Sequence, residues 1–111
     1  MVIQDAHPVG VHSANQLSLT ASLIESDALR YTPSGVPALS CRLEHESTVS
    51  EAGQSRQVKA IVKAVSFGVV AERLAAQHLG SCWQFQGFVA SPKGNRQLVY
   101  HIQEFISFPE H

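Results

Sequence analysis

Leu17, Leu19, Ala21 and Leu23 alternate with Gln16, Ser18, Thr20 and Ser22. A period of two predicts a strand with one face in a core and the other toward solvent. Ser26-Asp27 opens a connection, and Thr32-Pro33-Ser34-Gly35 signals a turn, because proline presets φ and glycine accepts a positive φ. The alternation resumes with Leu39, Cys41 and Leu43 against Ser40, Arg42 and Glu44, a second strand. It breaks over Glu46 to Ser55, which reads as a polar loop around Ala52-Gly53. A third strand runs from Arg56 to about Phe67. Its inner face is Val58, Ala60, Val62 and Ala64; its outer face, Lys59, Ile61, Lys63 and Val65, is half basic and half apolar, neither plain solvent surface nor plain core.

The period then lengthens. From Gly68 to Leu79, Val70, Ala71, Leu74 and Ala75 fall at helical spacing opposite Glu72, Arg73 and Gln77, with Gly80 where a C-terminal glycine belongs. That predicts a helix of about three turns. Strand four, Cys82 to Ala90, carries Gly87 in its middle, a sign of a bulge or sharp bend. Ser91 to Gln97 reads as a hairpin loop and Leu98 to Ile106 as strand five. The order β-β-β-α-β-β predicts an all-β protein: a five-stranded OB-fold Greek-key barrel with one helix between strands three and four. Such a barrel presents strands two and three and the loops one–two and four–five, which are the places of Lys59, Lys63 and the segment SPKGNR.

At 111 residues the chain is one domain. Residues 1–14 read as a loose, flexible extension, 15–108 as the barrel and 109–111 as a tail. The formal charge of -1 does not announce a nucleic-acid binder. The distribution says more: all eight Lys and Arg lie between Arg30 and Arg96, which allows a local basic face. Cys41 and Cys82 form no CxxC pair and read as reduced thiols. With no signal-peptide pattern and no apolar run of ~20 residues, a cytoplasmic location with no membrane partner is expected.

Several motifs, spaced along this strand order, are more specific: Pro33-Ser34-Gly35-Val36-Pro37, Leu43-Glu44-His45, Glu51-Ala52-Gly53 with Arg56-Gln57, and Gln86-Gly87-Phe88-Val89. Together they resemble the PriB family, primosomal replication proteins related to the SSB-like OB-folds, from Asn15 to about Phe105. The resemblance implies a homodimer that binds single-stranded DNA and the PriA helicase when a primosome is reassembled. Family members carry one aromatic after strand two and another on strand three, positions held here by Gln54 and Lys59; a basic position is held by Glu46.

The candidate single-stranded DNA contacts are Arg30, Arg56, Lys59, Lys63, Lys93 and Arg96, whose role would be to neutralise phosphates and release counterions. Trp83 and Phe85 share one side of strand four and Phe88 takes the other, so one side is core and the other an interface or stacking platform. His45, His78 and His101 lack the short spacings of a zinc set. A nucleophile elbow, a phosphate loop and HExxH are all missing, and Glu44-His45-Glu46 alternates across a strand. Neither an enzyme nor a cofactor or metal is expected. Two functions remain: a DNA-binding accessory of the replication-restart primosome, and an OB-fold adaptor for protein partners with weak or no DNA affinity.

Overall fold

The strand pattern closes on itself. The computed structural model describes residues 13–107, with the order β1 (Leu17–Ser26), β2 (Arg30–Tyr31), β3 (Pro37–Glu51), β4 (Gln54–Phe67), α1 (Val69–Ala75), β5 (Cys82–Ala90) and β6 (Val99–Ser107). The sheet runs β1-β5-β6-β4-β3-β2, and β1 pairs a second time with β3. Five long strands therefore form a closed barrel, the expected OB-fold, and β2 is a short edge on β3. β4 and β6 are parallel; the other pairs are antiparallel.

Closure depends on β1 changing neighbours. Leu17 to Ser22 pairs with Gly87 to Cys82 of β5, whereas Ser22 to Ser26 pairs with Glu44 to Cys41 of β3. A register shift between Leu23 and Glu25 bends the strand as it changes. Asn15 pins the approach to β1: its Nδ2 donates to the Val89 carbonyl at 2.9 Å and its Oδ1 accepts from the Val89 amide at 3.0 Å.

Most predicted inward positions supply or flank the core, with Leu17, Leu19 and Val62 only partly buried against it; Val58 and Ala60, on the arm that runs past the barrel, are not part of it. Ala21, Leu23, Leu39, Cys41, Leu43 and Ala64 are buried, joined by Phe85, Tyr100 and Phe105 from β5 and β6 and by Ala71 and Leu74 from α1. Each large side chain so buried contributes about 1.5–3 kcal/mol. Tyr100 keeps its hydroxyl satisfied by donating to the Leu17 carbonyl at 2.6 Å. The bulge expected at Gly87 is present as a shift between Gln86 and Gly87, where β6 comes so close that a Cβ would sit 1.8 Å from the His101 carbonyl oxygen.

Three expectations need correction. Glu46 to Ser55 is no loop: β3 runs to Glu51, β4 starts at Gln54, and the two pair without a break around an Ala52-Gly53 turn. The hydrophobic alternation stops there because this stretch extends past the core, with both faces of the ladder largely in solvent. The helix stops at Ala75 instead of Leu79, because the chain must return to β1: the Gly80 amide donates to the Leu23 carbonyl at 2.6 Å. The connection after Ser26 contains β2, too short to leave a period. Nearly all of the 1–14 extension and the 109–111 tail lie outside the described residues.

Cys41 faces the core and Cys82 the surface, both as free thiols. Burial, reinforced by the Asp27 carboxylate, pushes the Cys41 thiol up to about 12. At neutral pH, iodoacetamide is expected to label Cys82 readily and Cys41 only after unfolding, as peptide mass mapping would show. Equal labelling of both in the folded protein would contradict the packing.

Candidate nucleic-acid interface

The β3–β4 ladder sets which side chains share a wall. Its register places Arg42 opposite Lys63, Glu44 opposite Ile61 and Glu46 opposite Lys59. Leu43 and Cys41 point inward, so these intervening positions form the outer surface. Lys59 and Lys63 thus share the wall the alternation assigned them. Arg56 does not, because it lies opposite Val49 and has the parity of Val58. Arg42, absent from the predicted set, stands on the wall beside Lys63; its alternation with Leu43 was the signal for it.

The cations differ in what already holds them. Lys59 Nζ is 3.1 Å from Glu46, Arg56 Nη1 is 2.8 Å from Glu51 and Arg42 Nε is 3.2 Å from Glu25. All are exposed surface pairs of about 0–1 kcal/mol that salt screens. Arg30, on β2, donates from Nη1 to the Ser40 hydroxyl at 3.1 Å. Among the described residues, Arg30, Lys63, Lys93 and Arg96 have no carboxylate at ion-pair distance.

Lys93 and Arg96 lie in the β5–β6 loop, shaped by the Asn95 amide donating to the Pro92 carbonyl at 2.9 Å and the Gln97 amide to Asn95 Oδ1 at 2.8 Å. The parallel β4–β6 register, with Ala64 beside Tyr100, fixes where that loop emerges. It precedes Val99, so it leaves the barrel level with Lys63 and heads toward the end at which the β3–β4 hairpin projects. Lys59 lies about 13 Å further in that direction, four residues at about 3.3 Å each. The register brings Lys63 and the loop to one end of the barrel, with Lys59 along the same arm.

The aromatic residues divide as the alternation required. Phe85 is buried, and Trp83 packs edge-on to Phe105 with ring centroids 5.0 Å apart, its Nε1 donating to Ser81 at 2.8 Å. Phe88 faces outward and stacks on His101, centroids 4.7 Å apart at 15°. Tyr31 and Phe67 are exposed aromatics. His45 is committed to structure: its Nδ1 bonds the Thr20 carbonyl at 2.7 Å and its Nε2 the Ser47 hydroxyl at 2.8 Å. No group of three His, Cys, Asp or Glu positioned to hold a metal occurs among the described residues, and no helix there is long and apolar enough to cross a membrane.

A closed barrel of this strand order with an exposed, partly cationic β3–β4 wall defines an SSB-like OB-fold protein. Residues 15–104 match a family model described as "Another single-strand binding protein family". By sequence and structure alike the chain belongs to the PriB family. It is 43% identical over 91 residues to the Replication restart protein PriB of Bordetella pertussis, covering 81% of this chain and 85% of that one. The solved PriB of Ralstonia solanacearum superposes with a TM-score of 0.79 at 34% identity, over 86% of this chain and 98% of that one. The single-stranded DNA binding protein of Thermus aquaticus shares the fold, with a TM-score of 0.68 at 21% identity over 86% of this chain and 50% of that one.

Proposed function

We propose that this protein binds single-stranded DNA as a replication-restart accessory, and that it acts as a cytoplasmic homodimer beside the PriA helicase, holding DNA and catalysing nothing. The observation that carries the DNA role is Lys63 on the open β3–β4 wall, level with the loop of Lys93 and Arg96, on a barrel of the PriB family. Phosphate neutralisation by Arg30, Lys63, Lys93 and Arg96 accounts for binding without sequence preference. The dimer is supported by β1, whose residues Leu17 to Ala21 have, among the described residues, a ladder neighbour only in β5, leaving an edge for a second copy.

Fluorescence anisotropy with labelled oligo-dT tests the DNA role. Four phosphate contacts at about -0.7 each give a log K against log salt slope of roughly -3. Changing Lys63 and Lys93 together to alanine is expected to reduce that slope by about 1.4. A flat salt dependence would remove the proposal.

One observation favours a second reading, an adaptor that meets proteins through the hairpin. Lys59 and Arg56 are neutralised by acids of the same ladder, so the outer arm carries little net positive charge. Oligo-dT binding absent at low salt, with helicase association intact in a pull-down, would select that reading.

A further inference from the structure

Gln54 and Lys59 leave the hairpin without a ring for a base to stack on, but the outer wall carries a set of rings elsewhere. The strand register aligns one transverse row: Ser40 of β3 opposite Val65 of β4, Val65 beside His101 of β6, and His101 opposite Phe88 of β5. At the β3 end Arg30 donates to Ser40. At the β5 end Phe88 and His101 are already stacked, and the Phe67 ring lies 6.1 Å from His101. Val65, Phe67, Phe88 and His101 line one open hollow, although Phe67 is 44% exposed and nothing in the core requires its ring. Lys63 sits two positions from Val65 on the same face.

From this arrangement we infer that Phe67, His101 and Phe88 form a stacking platform for the bases of a single-stranded nucleic acid, with Arg30 and Lys63 holding the adjoining phosphates. The inference rests on the DNA-binding reading above and adds where the bases go. Flat rings flanked by cations form the surface that a polyanion with aromatic faces complements, since stacking tolerates any base and the cations meet its backbone. A second protein copy would meet Arg30 and Lys63 with the same charges repeated, which disfavours it as the occupant.

Two labelled oligonucleotides of equal length test this in the full chain: oligo-dT, and a strand of abasic sites with the same phosphates. The wild type is expected to prefer oligo-dT. The double variant Phe67→Ser/Phe88→Leu, and the milder Phe67→Ser should the first fail to fold, is expected to weaken oligo-dT binding about ten-fold. Abasic binding and the salt slope should stay unchanged. A folded variant that keeps the full preference for oligo-dT overturns the platform while leaving DNA binding in place. Wild type that binds neither strand at low salt overturns the DNA reading and the platform with it. Sedimentation showing a larger wild-type assembly that Phe88→Leu breaks up, with oligo-dT affinity unchanged, assigns the face to a second copy and also overturns the platform.

Discussion

Gly87→Ala is expected to leave the protein unfolded or insoluble. The added methyl would fall 1.8 Å from the His101 carbonyl oxygen and 2.9 Å from its carbonyl carbon. Both are backbone atoms of a paired strand, so no rotamer change relieves the clash. Forcing β5 and β6 apart breaks the ladder from Phe88 to Ala90 and costs upwards of about 3 kcal/mol. That is a large share of the roughly 5–15 kcal/mol that holds a domain folded. Far-UV circular dichroism of the purified variant decides the matter, and a melt matching the wild type would show that the strands are not this close. Gly53→Ala is the control. It has open space around it and a φ of 78°, so its cost is the left-handed backbone alone, about 1–2 kcal/mol.

Phe105→Ala has the next largest expected effect. Phe105 is 2% exposed, receives Trp83 edge-on, packs against Phe85 at 6.1 Å and carries the Arg73 guanidinium 4.6 Å above its ring. Removing it leaves a cavity shared by β5, β6 and α1, worth about 3–5 kcal/mol. The Arg73–Glu104 ion pair, 2.7 Å long and the main cause of the lowered Glu104 pKa, loses the ring that positions Arg73. At about 4–8 °C per kcal/mol, Tm should fall by at least roughly 12 °C. A scan showing a loss of only a few degrees would mean that the core collapses to fill the gap.

The long strands, the bulge at Gly87 and the barrel order were legible because each inward face is apolar and each outward face is not. The alternation fails where that contrast fails. From Glu46 to Ser55 the paired strands have no core beneath them, so Ser, Thr and Glu occupy both faces and the ladder reads as a loop. Thr48 and Val49, both β-branched, were the available signal. The helical period persisted past Ala75 because Gln77 and Leu79 fit it, whereas the helix ends in tightened bonds from Ala76 to Arg73 and Gln77 to Leu74, and the chain is then held to β1 by the Gly80–Leu23 and Leu23–Ser81 backbone bonds. The site was half visible. Alternation places Lys59 and Lys63 outward and also places Arg56 on the opposite side. It contains no record of which acids sit across the ladder, and so could not show that Lys59 and Arg56 are already neutralised while Lys63 has no acid at ion-pair distance among the described residues.

The hairpin beyond His45 is a cantilever. Past the Ser22–Glu44 and Ala64–Tyr100 pairings, its two strands have only each other as ladder neighbours among the described residues, and His45 braces its root against the Thr20 carbonyl. Its outer end can swing or be clamped without disturbing the packed interior. Whatever grips that end therefore works against the stiffness of a two-stranded ribbon, not against the stability of the domain.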